Sequence, residues 1–384
     1  MSNRTVLISG AGIAGPTLAY WLARSGFVPT VVEYSGAQRS SGSPVDVRGP
    51  AVAVAERMGV MPRLREAGTQ VRTLSFLSAR GRRTGRINMA ALRRAAASRE
   101  VELPRGDLAA ALYGVSRDDA EFVFRDSIAT LEPDQGGVDV TFCRSAPRRF
   151  AAVIGADGLH SAVRRLAFGP EAGYVRHLGL YVATMPLAGF AVDPHDVLMY
   201  NTPGKAISIH PASGQALAAF IFRHPQVAGF DYRDAAQHKR LLAQVYAGGG
   251  WRIPELLDRV AATEDLYFDS VSQVRLDRWS RGRVALLGDA ASCVSLFGEG
   301  SSLAMAGAAT LAAALADSPD DYQAAFPGYE ARHRALVAPK QRGVAQASAL
   351  LVPATRGGIA GRNLATRLWP AAAAAQWIRG RTAT

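Results

Sequence analysis

The chain has 384 residues, of which 48% are hydrophobic and 20% charged, so it can build a large core and more than one domain. Its net charge of +12 comes almost wholly from arginines, which are scattered rather than gathered into a nucleic-acid-binding stripe. The two cysteines and seven histidines show no disulfide framework or metal-ligand spacing, and no apolar run reaches the roughly 18 residues of a membrane helix. The N-terminus lacks a secretory pattern, so we expect a cytoplasmic protein that binds neither nucleic acid, membrane nor metal.

The first predicted element is a short buried strand, Thr5–Ser9, which runs directly into a glycine-rich turn. Gly10, Gly12 and Gly15 have the G-x-G-x-x-G spacing, and a helical pattern follows over Pro16–Arg24. In this motif the first glycine allows the tight turn, the second lets the backbone approach a pyrophosphate, and the third lets the helix pack on the strand. The helix N-terminus favours the negative charge of phosphates.

A second predicted strand, Phe27–Glu33, completes the context that a lone glycine motif lacks. Glu33 lies 18 positions after Gly15, close to the spacing of an acid that binds the adenosine ribose hydroxyls. An acid there favours FAD or NAD over NADP as the bound nucleotide. The alternative is a glycine-rich strand–helix turn that binds no nucleotide.

The chain up to about residue 173 alternates short helices and strands. A loop over Gly36–Gly49 carries Asp46 and Arg48. We then predict helices at Pro50–Met58, Pro62–Ala67 and Arg105–Tyr113, strands at Val71–Leu77 and Thr84–Asn88, a small meander of Glu121–Phe124, Ser127–Leu131 and Val138–Cys143, and a buried strand at Arg148–Ile154.

From about residue 174 to 274 the pattern becomes that of an antiparallel sheet, interrupted by proline, glycine, asparagine and serine. The predicted elements are strands Leu180–Pro186, Asp196–Tyr200, Ala206–His210 and Ala216–Phe222, helices Asp234–Tyr246 and Ile253–Val260, a buried strand at Arg283–Asp289, helices Ser302–Ala316 and Tyr322–Gln346, and a helical tail from Ile359. We therefore predict a discontinuous first domain (1–70, 89–173 and 275–350), an inserted sheet domain (71–88 and 174–274) and a C-terminal helical tail (351–384).

Two further motifs complete a characteristic set of three. One is Gly155-Ala156-Asp157-Gly158 followed by Leu159–Arg164, and the other is Gly288-Asp289-Ala290-Ala291. With the glycine turn they resemble the fingerprints of the single-component flavoprotein monooxygenases, the family of para-hydroxybenzoate hydroxylase and the tetracycline-inactivating monooxygenases. The resemblance covers nearly the whole chain, and Leu103–Leu108 adds a shorter match.

The resemblance implies a role for each matching residue. FAD would be held through its pyrophosphate, ribose and ribityl chain by Gly10, Gly12, Ala14, Gly15, Glu33, Arg105, Asp157 and Asp289. Gly298-Glu299-Gly300 would open a helix at Ser301 or Ser302 whose N-terminus faces the flavin ring, where negative charge develops on reduction.

The resemblance also implies the fold and the reaction. The fold would be α/β, with a Rossmann-like FAD domain of the glutathione-reductase type, an inserted antiparallel β-sheet domain for substrate and C-terminal helices. NADPH or NADH would reduce the flavin, and a flavin C4a-hydroperoxide formed with O2 would hydroxylate an aromatic or polycyclic, polyketide- or antibiotic-like molecule. The protein would act as a monomer or homodimer.

Candidate substrate contacts lie on the predicted sheet, in an apolar pocket between the sheet and the flavin. Met199, Tyr200, Phe220 and Phe222 are candidates, although alternation along a strand points only half of them inward. His210 is the candidate acid or base, and Asp46 and Arg48 are placed by the resemblance beside the flavin ring.

Two other functions stay open at this point. The same fold serves flavin oxidases and dehydrogenases that insert no oxygen. A non-catalytic flavoprotein that sequesters an aromatic ligand is the third possibility.

Overall fold

The computed structural model describes residues 4–37, 44–91, 99–212, 215–294 and 299–366. Gly298 and the end of the expected C-terminal tail lie outside these residues. The chain forms two compact units. Unit 1 comprises Met1–Gly68, Arg99–Leu178 and Ser272–Val344, and unit 2 comprises Thr69–Ser98, Gly179–Val271 and Ala345–Thr384.

The described strands, in chain order, are β1 (Thr5–Ser9), β2 (Val28–Glu33), β3 (Val45–Val47), β4 (Thr73–Leu77), β5 (Arg83–Asn88), β6 (Val101–Leu103), β7 (Glu121–Phe124), β8 (Ile128–Pro133), β9 (Val138–Phe142), β10 (Arg148–Phe150), β11 (Ala152–Gly155), β12 (Val175–Leu187), β13 (Asp196–Thr202), β14 (Lys205–Ala212), β15 (Gln215–Arg223), β16 (Tyr267–Val274), β17 (Ser280–Arg281) and β18 (Val284–Leu286). The described helices are α1 (Ala14–Arg24), α2 (Pro50–Arg57), α3 (Met61–Glu66), α4 (Arg105–Ser116), α5 (Ala162–Phe168), α6 (Ala235–Tyr246), α7 (Ile253–Ala262), α8 (Asp289–Ser292), α9 (Glu299–Asp317) and α10 (Tyr322–Leu351).

Unit 1 is built on a six-stranded sheet in the order β17-β18-β11-β1-β2-β7. All neighbours pair in parallel except β17 and β18. β11 and β18 are buried along their whole length and β1 is buried from Val6 to Ser9, as expected of parallel strands covered on both faces. Helix α1 presents Leu18 and Leu22 to this core and packs against α9, whose alanine-rich surface permits a close approach. The predicted α/β nucleotide-binding fold is therefore confirmed.

Two predicted strands of unit 1 differ from the structure. The single strand expected at Arg148–Ile154 is divided at Ala151, whose backbone N–H donates to the carbonyl of Thr5. β10 joins a small antiparallel sheet with β9 and β8, whereas β11 enters the parallel sheet. β7, expected in the meander, pairs in parallel with β2. An apolar run shows that a strand is buried but not which sheet it joins.

Unit 2 is built on a seven-stranded sheet in the order β16-β12-β15-β14-β13-β4-β5. β12, β15, β14 and β13 form the expected antiparallel core. β4 departs from that pattern, because it pairs in parallel with β13. One face of the sheet packs on α6 and α7, where the rings of Phe220 and Phe222 contact Tyr246 edge to face.

One buried histidine of unit 1 makes stability depend on pH. His333 on α10 is 1% exposed, and neither ring nitrogen has a hydrogen-bond partner among the described residues. The imidazole stacks on Tyr329 and lies against Gly307, where an added Cβ would be 2.8 Å from Nε2. Burial lowers the pKa of His333 from 6.5 to about 4, because the charged ring would lose its hydration.

We expect stability to fall on acidification through this histidine. Because the pKa of His333 is lower in the folded chain, the unfolded chain binds the proton more readily than the folded chain. The free energy of unfolding therefore keeps its full value above pH 6.5 and decreases as the pH falls towards 4, by about 3 kcal/mol in all. His333→Leu should flatten that part of the pH dependence in urea unfolding at pH 4.5, 5.5 and 7. The partly exposed His195, changed to Gln, is the control. Equal pH dependence in wild type and His333→Leu would contradict the assignment.

Candidate functional site

The predicted motifs of unit 1 meet at one edge of its sheet. The strands β2, β1, β11 and β18 are parallel neighbours, so their carboxyl ends point the same way. Each motif begins where one of these strands ends. β1 ends at Ser9, directly before the glycine turn, and β11 ends at Gly155, the first residue of the second motif. β18 ends at Leu286, two residues before the third motif, and β2 ends at Glu33. Ligands of open α/β sheets bind at this edge.

The three glycines of the first motif have different surroundings. Gly10 has φ +107°, and an added Cβ would lie 2.6 Å from the carbonyl oxygen of Ala156. On Gly15 an added Cβ would lie 1.9 Å from the carbonyl oxygen of Gly10. Both positions therefore require glycine for the protein's own packing. Gly12 differs, because an added Cβ would meet nothing within 4 Å, so its backbone borders open space.

Glu33 is held beside this turn by backbone hydrogen bonds. One carboxylate oxygen accepts from the N–H of Ala11 and the other from the N–H of Ser35, both at 2.8 Å. Each oxygen keeps a further lone pair, so the carboxylate can also accept hydrogen bonds from vicinal hydroxyls.

Asp157 ties the second motif to the first. Its carboxylate accepts from the hydroxyls of Ser9 at 3.3 Å and Ser161 at 2.5 Å, and from the N–H of Val163 at 3.1 Å. Burial raises the pKa of Asp157, against the opposing effect of the hydrogen bonds from Ser161 and Val163. Its Cα lies 2.9 Å from where a Cβ on Gly10 would stand, so the two motifs are in direct contact.

Arg164, the last residue of the second motif, is fully buried. Its guanidinium donates to the carbonyls of Ala290 at 3.0 Å and Leu159 at 2.5 Å, and lies 3.5 Å from the Glu171 carboxylate. The same carboxylate bonds His160 at 3.0 Å. Burial lowers the pKa of Arg164, an effect that the charge of Glu171 opposes. Arg164 thus joins the second motif to the third.

The third motif packs on the start of α1. Gly288 has φ +63°, and an added Cβ would be 3.3 Å from the Cβ of Ala14. Asp289 begins α8, and its Oδ1 would be 3.4 Å from a Cβ on Gly300. The Asp289 carboxylate therefore borders the first turn of α9.

The loop that carries Asp46 and Arg48 is fastened to the same turn. The hydroxyls of Ser301 and Ser302 donate to the carbonyl of Asp46 at 2.9 and 2.7 Å, and the N–H of Arg48 donates to Ser302 at 3.0 Å. Helix α9 begins at Glu299 rather than at Ser301 or Ser302, so both serines lie inside its first turn.

Two charged residues of this network escaped the sequence analysis as site residues. The Glu299 carboxylate forms ion pairs with Arg48 and with Lys340 of α10, both at 2.9 Å, while Arg48 is also 3.7 Å from Asp46. The G-E-G sequence at the start of the helix was the available signal, because an acid at a helix N-terminus is favoured by the helix dipole.

Arg105 follows a two-stranded antiparallel sheet formed by β3 and β6. β6 pairs with β3, with Leu103 opposite Val45 and Glu102 opposite Asp46. Arg105 begins α4 two residues after β6, and its side chain is exposed. The Arg105 guanidinium is therefore open to solvent.

The candidates from unit 2 divide between the two faces of its sheet. Tyr200, Phe220 and Phe222 belong to the cluster covered by α6 and α7, whereas alternation places Met199 and His210 on the opposite face. His210 Nε2 shares a 2.8 Å hydrogen bond with the hydroxyl of Ser208, and burial lowers its pKa from 6.5 to about 4.

The comparisons with known proteins agree with this geometry. A family model described as an FAD binding domain matches residues 3–321. A flavin-dependent monooxygenase of Legionella longbeachae serogroup 1 (strain NSW150) is 34% identical over 345 residues, covering 88% of this chain and 87% of the relative. The chain belongs to the FAD-dependent monooxygenases. An uncharacterized protein of Mycobacterium tuberculosis (strain ATCC 25618 / H37Rv) is 40% identical to this chain over 347 residues, covering 87% of this chain and 91% of the relative.

The solved structures similar to this chain include two tetracycline destructases. Tet(55) has a TM-score of 0.83 at 31% identity, and Tet(51) has a TM-score of 0.84 at 29% identity. In both cases the match covers 95% of this chain and 96% of the other. Among the described residues of the chain, no helix is long and apolar enough to cross a bilayer.

The residues at the sheet edge fit FAD. The open space at Gly12 would let a pyrophosphate come close to the backbone, and the N-terminus of α1 has N–H donors beside that space. Glu33 offers acceptors to a ribose, and Asp289 borders the further helix N-terminus of α9.

We expect Arg164→Lys to destabilise the monooxygenase by about 3 kcal/mol, because an ammonium cannot reach all three partners from a buried position. Urea unfolding of the FAD-free protein measures the loss. Arg165→Lys is the matched control, because Arg165 is the next residue and its side chain is exposed. Its free energy of unfolding should stay within about 0.5 kcal/mol of that of wild type. Equal losses in the two variants would show that the buried contacts do not carry the effect.

Proposed function

We propose that this FAD-dependent monooxygenase uses NADPH or NADH and O2 to hydroxylate an aromatic or polycyclic small molecule. Bound FAD supplies the redox chemistry, accepting electrons from the nicotinamide and activating O2 for transfer of one oxygen atom. The names of the relatives support the oxygen transfer, and the two destructases act on tetracycline, a polycycle with a phenol ring.

The observation that carries the proposal is the open space at Gly12, in the first of three motifs that contact one another. We assign the pyrophosphate to Gly10, Gly12, Ala14 and Gly15, the ribose to Glu33, and the remaining FAD chain to Arg105, Asp157 and Asp289. We assign the flavin ring to the N-terminus of α9, which includes Gly300, Ser301 and Ser302. The dipole of that helix favours negative charge at its N-terminus.

Asp46 and Arg48 act in this proposal by holding the loop against α9. The Arg48 guanidinium is shared between Glu299 and Asp46, so it brings positive charge to the helix N-terminus without leaving it uncompensated. His210, with its pKa near 4, is neutral at pH 7 and serves as a hydrogen-bond partner rather than a strong base.

Isotope labelling tests the reaction. The purified protein should be yellow, should oxidise NADPH or NADH faster with substrate, and should place one atom of ¹⁸O2 in the product. The substrate screen would compare polycyclic phenols with simple aromatic acids. Product formation without label, or with hydrogen peroxide as the only reduced oxygen, would identify an oxidase or dehydrogenase.

Gly12→Ala should separate FAD binding from folding. The new methyl meets no protein atom within 4 Å, so the apoprotein should fold as wild type does, but the methyl occupies the approach to the pyrophosphate. We expect FAD affinity to fall at least tenfold, measured by equilibrium dialysis with visible absorbance, while circular dichroism stays unchanged.

Gly10→Ala is the contrasting variant, because its methyl would lie 2.6 Å from the Ala156 carbonyl oxygen in a left-handed conformation. It should reduce folding stability by more than about 1 kcal/mol as well as FAD binding. If folded Gly12→Ala binds FAD as tightly as wild type, the assignment of the FAD pyrophosphate to the glycine turn is wrong.

A further inference from the structure

An acidic residue opens the helix whose N-terminus is assigned above to the flavin ring. Glu299 is the first residue of α9, one position before Gly300. The Asp289 carboxylate borders the same turn, because its Oδ1 would lie 3.4 Å from a Cβ on Gly300. Carboxylates without a counter-charge would repel the negative charge that a flavin ring gains on reduction. These acids therefore need positively charged partners.

Two cations meet on one oxygen of Glu299. Nη2 of Arg48 and the ammonium of Lys340 each lie 2.9 Å from its Oε1. Nη1 of Arg48 is also 3.7 Å from the Asp46 carboxylate, so the guanidinium is shared between two acids. Within the described structure, Lys340 adds a full positive charge to a carboxylate that would otherwise draw on Arg48 alone.

The packing of α10 places Lys340 at this ion-pair network. Val337, three residues earlier, is buried in the core of unit 1. Gln341, the next residue, donates through Nε2 to the carbonyls of Val274 at 2.9 Å and Cys293 at 3.2 Å. Cys293 directly follows α8, so α10 is fastened to the segment after the third motif. The backbone at Lys340 is thus anchored on both sides.

The exposure of the three side chains indicates what the network can do. The side chains of Glu299, Arg48 and Lys340 are 21%, 27% and 49% exposed. Ion pairs this open to solvent contribute little to folding stability. The Coulomb interaction of a charge falls only with the inverse of distance, so it reaches a ligand beside the helix N-terminus, although dissolved salt weakens it.

We propose that Lys340 is a positioning residue, which neutralises Glu299 and so leaves the positive charge of Arg48 to the reduced flavin. Reduction of bound FAD adds two electrons and one proton, so the ring gains one negative charge. Lys340 therefore raises the reduction potential of the bound flavin. This inference rests on the proposed function, which assigns the flavin ring to the α9 N-terminus, but it concerns the equilibrium of flavin reduction and not oxygen transfer.

The test measures the reduction potential of FAD-loaded protein by spectroelectrochemical titration at pH 8 and low salt. Lys340→Met should lower the equilibrium constant of reduction about fivefold, which is about 20 mV for a two-electron couple. Glu299→Gln should raise that constant, because it removes a negative charge. The double variant should lie between the two single variants. Added salt should reduce each shift.

Two variants control for charge and for folding. Lys340→Arg keeps the positive charge and should keep the wild-type potential. Lys239→Met makes the same change in net charge outside the network, where the ammonium donates to the carbonyl of Ala261, and should leave the potential unchanged. The melting temperature of each variant should stay within about 3 °C of wild type, because the substituted side chains form only solvent-exposed polar contacts.

The inference is overturned if Lys340→Met leaves the potential unchanged or raises it, if Lys239→Met shifts it equally, or if Lys340→Arg behaves like Lys340→Met. The titration needs neither nicotinamide nor substrate, so its outcome is separate from that of the reaction. The predicted shifts in a protein that incorporates no ¹⁸O2 would reject the proposed function and keep the role of Lys340. Labelled product without the shifts would do the reverse, and a protein that binds no FAD would overturn both.

Discussion

The backbone of Gly10 passes so close to Ala156 that no side chain fits between them, and the rest of unit 1 is arranged around that approach. It requires β1 and β11 to end together, and Gly15 brings α1 within a similar distance of the same turn. The N–H of Ala11 is then positioned for Glu33, and the hydroxyl of Ser9 for Asp157. The site follows from strands that stop at one edge, with glycine where neighbouring backbones touch.

Charge compensation holds the remaining parts together. Arg164 is buried against two carbonyls and Glu171, and Arg48 lies between Glu299 and Asp46. Taking a guanidinium out of water is costly, and an opposite charge close by offsets part of that cost. The arginine excess of the chain therefore has a structural use at these two points, where planar donors join segments that are distant in sequence.

Much of the fold and the motifs that meet at the candidate site could be predicted from sequence, because local patterns determine both. Strand–turn–helix context identified the glycine turn, and turn residues bounded the strands of unit 2. The division of Arg148–Ile154 between two sheets depends on contacts with Thr5 and Val138, which local periodicity does not contain. Alternation predicted two faces on β13–β15 but not which one the helices cover, so Tyr200 and Phe220 could not be distinguished from Met199. The role of Lys340 required the tertiary fold.

The strand order of unit 1 has a consequence for how the chain is made. β11 lies between β1, from the first residues, and β18, which comes about 130 residues later. At a synthesis rate of about 5–20 residues per second, one edge of β11 stays unpaired for roughly 6–26 seconds on the ribosome. An apolar strand with a free edge invites intermolecular pairing during that interval. The yield of soluble protein should therefore depend on elongation speed and on chaperones that shield nascent chains.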